Sequence, residues 1–365
     1  MCVGVIGLCV GPCSLARSTV IVTVDVESTT DLPLPQQIDA VCADGSRCGL
    51  MEIVRLLQAH RLAGTFFLNV YEYKNYGLAP LRNIAVALRD SHQDVALHTH
   101  PQCAYDPAQP YMYGYSLEQQ IRIVRDGKQL LEDWTGMPVV AHRAGAYSAD
   151  RNTLEALARN GIRVDSSLFF RHPASQLNGL GLPNNLPSRI GGITEIPVSV
   201  YQRDEHPAGL GSWAPPFSSI RKIDVNSLID EQEARLALTA AVHADFPYVV
   251  VFLHSFSLIA KPGVNGVAPE ADHKARLVFE TLLVETGAAQ TSTVSALASM
   301  SGIIESGRRD ELPHVSVTVP AWKYLWHTLH ARFAAPVLLT SAVIFVAVVA
   351  FGALWVGFRK RRPLP

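Results

Sequence analysis

The 365-residue sequence is 48% hydrophobic and carries 31 Lys and Arg against 32 Asp and Glu, a formal net charge of −1. That length holds one large domain with an appendage. The balanced charge provides no basic field to collect phosphates, which argues against a nucleic-acid partner.

The first stretch, "MCVGVIGLCVGPCSLA", is apolar with small residues near Ala16 but lacks the basic n-region of a signal peptide. Residues 1–18 read as a signal-peptide remnant whose true start lies upstream; the other reading is a tail-anchored protein whose domain faces the cytosol. From residue 19 to 305 short apolar runs alternate with helical ones, which predicts parallel strands joined by crossover helices. The predicted strands are 20–27, 64–68, 94–100, 139–145, 162–168, 194–201 and 248–256, about seven in all. Between them "CGLMEIVRLLQAHR", "SLEQQIRIVRDGKQLLEDW", "DRNTLEALARN" and "DEQEARLALTAAVHA" have apolar residues at helical spacing, with Ser116 and Gln119 placed as a capping box and Gly161 as a stop. A late helix falls near 272–286. Residues 169–193 and 202–223, rich in Gly, Pro and Asn, are long loops of the kind that face a substrate. Cys42 and Cys48 flank "ADGSR", a loop suited either to a disulfide or to two free thiols, and Cys103 reads as a small buried residue.

The C-terminus differs in kind. Residues 306–332 form a linker, and Phe333 to Phe358 contains no charged residue and is long enough to cross a bilayer as a helix. The tail 359–365 opens with "RKRR", which marks the cytoplasmic side. The expectation is a domain outside the cytoplasm, anchored in the membrane by its C-terminal helix.

Ionisable residues gather where predicted strands end: Asp25 and Glu27, His98 and His100, Arg143, Asp165, and His254. In a parallel α/β barrel those ends share one rim, and a purely structural strand gains nothing from charge there. Asp25 with Glu27, and His98 with His100, are each spaced i, i+2, so each pair projects to one side of its strand. Two carboxylates and two imidazoles suit a divalent cation, zinc above all. One carboxylate then binds the metal while the other takes a proton from water whose acidity the cation raises. Arg143 needs an anionic partner, and Asp25 is the candidate. His254, ending the apolar run "VVVFLH", suits a general acid, with Asp165 to hold and tune it.

Taken in order, "TVDVE", "GTFF", "ALHTHP", "HRAGAYS" with "LEALARNGIRVDSSL", and "VFLHSFSL" resemble the successive motifs of the polysaccharide deacetylases, the NodB-homology group of carbohydrate esterases, over roughly residues 19–300. The resemblance implies a distorted (β/α) barrel of fewer than eight strands, and a divalent metal activating water against the N-acetyl carbon of an amino sugar. By position Asp25 resembles the base, Glu27, His98 and His100 the metal ligands, Arg143 the residue orienting the base, Asp165 the tuner of the acid, and His254 the acid. Two departures stand out. Val26 separates carboxylates that the family usually places side by side, and Gln102 stands where the family's second histidine falls, with His100 coming early. The ligands are then His98 with His100, or Gln102 contributes, or the metal is absent.

The sequence thus predicts an α/β fold, a distorted (β/α) barrel of about seven parallel strands plus a C-terminal transmembrane helix. The predicted activity is metal-dependent, with Zn2+ as cofactor, and removes N-acetyl groups from an amino-sugar polysaccharide, an exopolysaccharide or cell-wall glycan. The alternatives are a catalytically degenerate sugar-binding scaffold for polysaccharide export, and a hydrolase of another non-peptide C–N bond.

Overall fold

A computed structural model describes residues 18–29, 31–209, 215–263, 267–287, 289–298, 310 and 312–332. The strands are β1 (Thr19–Val26), β2 (Thr65–Asn69), β3 (Asp94–Thr99), β4 (Ala141–Ala144), β5 (Val164–Asp165), β6 (Ser188–Ile190), β7 (Ile193–Glu195), β8 (Val200–Pro207), β9 (Phe217–Lys222), β10 (Tyr248–His254), β11 (Ile259–Lys261), β12 (Glu270–Ala271), β13 (Gln290–Thr291) and β14 (His314–Val319). The helices are α1 (Leu50–Ala59), α2 (Tyr73–Tyr76), α3 (Leu78–Asp90), α4 (Leu117–Thr135), α5 (Arg151–Arg159), α6 (Glu231–His243), α7 (His273–Thr286), α8 (Val294–Leu297) and α9 (Ala321–Arg332). The chain divides into two compact units, residues 1–202 with 220–315, and residues 203–219 with 316–365.

In the first unit the main sheet runs β10-β1-β2-β3-β4-β5-β7-β6, with β13 on β1. From β10 through β7 every pairing is parallel, and β6 turns back antiparallel on β7. Because alternate residues of a strand share a face, one inward set can be read off the register. Ile21, Phe67, Ala96, Ala141, Val164, Ile196 and Val250, one from or beside each parallel strand, pack into a single buried cluster capped by Val294 and Leu297 of α8. A sheet whose strands all meet in one cluster is strongly curled. No ladder among the described residues joins β10 to β6, so the expected barrel is corrected to an open, curled sheet. Side chains and short segments bridge the gap instead. The Val250 N–H donates to Ser199 Oγ at 2.8 Å, and Asp224 forms a parallel bridge with Phe252.

Local chemistry starts the helices where the strands deliver the chain. The α4 N-terminus is a capping box of Ser116 and Gln119, and Gly136 (φ 67°) ends the helix in the left-handed conformation. Asp150 and Thr153 make the same box at α5. Cys42 and Cys48 are joined in a disulfide, their Cα atoms 6.0 Å apart.

The stretch read as a long loop, 202–223, instead contributes to β8 and β9, and the linker 306–332 contains β14 and α9. These three strands pair in the order β14-β8-β9. Within the second unit Glu205 is buried against Arg203 at 2.6 Å and His327 Nδ1 at 2.5 Å, and the Tyr324 hydroxyl donates to the Pro215 carbonyl.

The expected membrane anchor and the extracytoplasmic placement drawn from it are corrected as well. Among the described residues no helix is long and apolar enough to cross a membrane. The predicted span 333–358, the basic tail after it and the leader 1–17 lie outside the described residues.

Candidate functional site

Above the apolar cluster the same inward parity continues with polar residues. Ile21 is followed on its face by Thr23 and Asp25, Phe67 by Asn69, Ala96 by His98 and His100, Ala141 by Arg143, Val164 by Ser166, and Val250 by Phe252 and His254. Asp25 and His254 are register partners on β1 and β10, as are His98 and Arg143 on β3 and β4. Six of the seven residues singled out from sequence, Asp25, Glu27, His98, His100, Arg143 and His254, therefore meet at the C-terminal ends of the parallel strands.

Arg143 is fully buried and spans the floor. Its Nη1 donates to Asp25 Oδ1 at 2.7 Å and to Thr23 Oγ1 at 3.1 Å, while Nε and Nη2 donate to the Ser166 carbonyl and hydroxyl at 2.9 Å each. The guanidinium lies over the Phe67 ring at 4.3 Å and the Phe252 ring at 5.2 Å. Asp25 Oδ2 sits 3.9 Å from His98 Nε2.

Glu27, His98 and His100 each turn one ligand atom toward a common point, all within 4.8 Å of one another. His98 Nδ1 lies 2.9 Å from the Arg143 carbonyl, which can only accept, so that nitrogen carries a hydrogen and Nε2 is turned to Glu27 Oε2 at 3.1 Å. His100 Nε2 is buried 2.5 Å from the same oxygen. Three such atoms crowded on one point are arranged as the ligands of a shared cation are, and two imidazoles with one carboxylate match a site for zinc with an open position.

The electrostatics agree. Burial opposes charge on Glu27, but His100 and His98 outweigh it and hold the carboxyl well below its usual range. Burial likewise opposes charge on His98, and the carboxylates of Asp25 and Glu27 still raise it. His254 behaves oppositely. Burial, helped by Lys222, lowers it, although Glu27 Oε1 is 3.8 Å from its Nε2. Its ring stacks on Phe256 at 4.7 Å and meets the edge of Phe252 at 4.9 Å. A cleft of about 440 Å³ opens beside it, lined by Thr29, Asp224, Asn226, Phe256 and Ile259. A larger cleft of about 900 Å³ opens at the N-terminal ends of β3 and β4, around Asp94 and Val140, with none of the six site residues in its lining.

Asp165 is not with the other six. Val164 points inward, so Asp165 points outward, where its Oδ1 accepts from His142 Nδ1 at 2.7 Å and from the Ser167 hydroxyl at 2.8 Å. The carboxylates whose charge raises His254 are Glu27, then Asp25, then Asp224, the last held at 3.0 Å by Lys222. Sequence reasoning passed over Asp224, which directly follows the stretch 202–223 read as a loop. It also passed over Gly145 and Tyr147 in the turn after β4, where Ala146 (φ 50°) and Tyr147 (φ 58°) both adopt the left-handed region. Cys103 is no ligand candidate: burial pushes its thiol up to about 11.

No protein-family model and no curated protein matches the sequence. Among solved structures, the chain is similar to a "putative polysaccharide deacetylase from Mycobacterium smegmatis", with 16% identity, a TM-score of 0.52, and coverage of 84% of this chain and 95% of that one. A CE4 family pseudoenzyme from Bacillus anthracis (12% identity, TM-score 0.42, 82% and 70% covered) and the Bc1960 peptidoglycan N-acetylglucosamine deacetylase (13%, 0.42, 79% and 91%) align more loosely. The first likeness is one of fold: the chain shares the curled α/β architecture of a polysaccharide deacetylase, in line with the motif resemblance.

Proposed function

We propose that this protein is a metal-dependent hydrolase that removes N-acetyl groups from an amino-sugar polysaccharide, an exopolysaccharide or cell-wall glycan. The observation that carries the reading is the convergence of Glu27, His98 and His100 on one point, with the Arg143-bound carboxylate of Asp25 on one side and His254 on the other. A divalent cation held by Glu27, His98 and His100, zinc by the chemistry of the donor set, would polarise the amide carbonyl and raise the acidity of water.

Around it the chain's own groups divide the proton work. Asp25, fixed by Arg143 through Oδ1, keeps Oδ2 free to take the proton of the attacking water. Arg143 orients that carboxylate and supplies the countercharge without titrating itself. His254 carries a proton to the departing amine; burial disfavours its charged form, so the ring parts with that proton readily. The stacked Phe256 orients the His254 ring, Asp224 lines the same cleft, and the aromatic face there suits a sugar ring.

The test is acetate release from N-acetylglucosamine oligomers by purified protein, with zinc and after chelation, beside an Asp25→Asn variant. Release that requires metal and falls by two or more orders of magnitude in the variant supports the reading. Metal-loaded protein inert on every N-acetylated glycan would defeat it.

A further inference from the structure

The histidine that comes early, His100, lies just past the end of β3, where nothing in the ladder orients it, and its ring is nonetheless held from two sides. One side is Gly145: a Cβ there would stand 2.5 Å from both Cε1 and Nε2 of the imidazole and 2.6 Å from Cδ2, so the ring lies flat on a backbone that only glycine leaves open. The other is Gln102, on the turn Pro101–Cys103, whose amide nitrogen is 3.2 Å from His100 Nδ1.

With its nitrogen toward the ring, that amide donates to Nδ1 and leaves its own Oε1 buried without a partner among the described residues. It also puts the ring hydrogen on Nε2, 2.5 Å from Glu27 Oε2, where it stands in the place a cation would take. The amide's oxygen and nitrogen differ only by a half-turn about the last torsion. Turned over, Oε1 accepts from Nδ1–H, and the lone pair of Nε2 is left facing Glu27 and His98.

We infer that Gln102 and Gly145 are positioning residues that make His100 a metal ligand, Gln102 by fixing its tautomer through Nδ1 and Gly145 by seating its ring. This deepens the proposed metal site and rests on it. Gln102 thus holds a ligand from outside, as the Arg143 carbonyl holds His98.

The test uses zinc alone and the full chain, with chelator-competition affinities and nitrogen-15 spectra of the histidine rings. Gln102→Leu, which removes the acceptor, is expected to weaken zinc binding 10- to 100-fold, on the order seen when outer partners of ligating histidines are lost. Gln102→Glu, which keeps an acceptor, is expected to retain it, and Gly145→Ala to weaken it at least as much as Gln102→Leu. With zinc bound, His100 is expected to carry its hydrogen on Nδ1, hydrogen-bonded in the wild type and not in Gln102→Leu, with His98 unchanged in both. Wild-type affinity in Gln102→Leu, or a wild-type His100 that keeps its Nε2–H when zinc is added, would overturn the inference. If zinc fails to bind the wild type at all, the metal-site reading falls and takes this inference with it, whereas zinc binding that ignores Gln102→Leu sinks this inference alone.

Discussion

Arg143 is the largest fully buried side chain among the described residues, and its five donors explain how a guanidinium survives there. Asp25, Thr23 and Ser166 take four hydrogen bonds from it, and two aromatic faces cover the rest. The pair with Asp25 is not a net stabiliser by default, because desolvating two charges costs about what their attraction returns. Removing one partner is another matter. Arg143→Met fills similar volume between Phe67 and Phe252 but strands the Asp25 carboxylate in a buried site. A loss of about 3–5 kcal/mol in urea unfolding is expected, part of it recovered in Asp25→Asn/Arg143→Met. If the single variant unfolds at the wild-type midpoint, Asp25 has another partner and the picture of the floor is wrong.

At the level of the elements, outward-facing residues of neighbouring strands build a second polar chain, from Thr99 Oγ1 through His142 to Asp165 and on to Glu195, whose carboxyl accepts from the Leu168 N–H. Asp165 and Glu195 are register partners, and one oxygen of each, Oδ2 and Oε2, has no other partner among the described residues; a shared proton satisfies both. Burial first, and the Asp165 charge second, raise the Glu195 carboxyl well above 4.5. The stability this group contributes is then fully present below the unfolded value near 4.5 and is lost as pH rises through the folded value. Urea titrations between pH 5 and pH 8 are expected to show stability falling, by on the order of 1 kcal/mol per pH unit at the steepest, and Glu195→Gln is expected to flatten that slope, since its amide can donate to Asp165 permanently. An unchanged slope would remove Glu195 as the cause. On the helix side of β3, Gly127 of α4 is packed so closely that a Cβ would lie 2.3 Å from the Tyr71 hydroxyl and 2.9 Å from Leu97 Cδ1. Helix propensity favours Ala there by about 1 kcal/mol, but Tyr71 is buried and tied to the Ile123 carbonyl at 2.6 Å, so overpacking of about 1–3 kcal/mol wins. Gly127→Ala should lower the thermal midpoint; a rise would mean that α4 slides to make room.

Over the whole molecule, what could be read in advance follows the range of the forces involved. Strand positions and the i, i+2 pairs were legible because period-2 alternation is local, and alternation alone puts Asp25 with Thr23 and His98 with His100 on one face. Asp165 was misplaced by one residue. The inward residue of the two-residue strand β5 is decided by its pairing with β4 and β7, and Val164 takes that position. Strands β8 and β9 were read as loop because β14, with which they share a sheet, lies about a hundred residues further along the chain, beyond any local pattern. The hold of Gln102 on His100 depends on one turn after β3 and leaves no periodic trace. The same non-locality yields a test of the metal site as a property of the fold. Glu27 follows β1 and the histidines end β3, 71 residues apart in the case of His98, so the three ligand atoms come together only in the native chain. A cation that binds there stabilises the native state by RT ln(1 + [L]/Kd), about 2.7 kcal/mol at a hundredfold excess over Kd. Zinc should therefore raise the thermal midpoint by several degrees over chelated protein, with Glu27→Gln abolishing the rise and Asp25→Asn leaving most of it. Should zinc shift the wild type and Glu27→Gln equally, the ion is bound elsewhere, and the convergence of Glu27, His98 and His100 is packing without coordination.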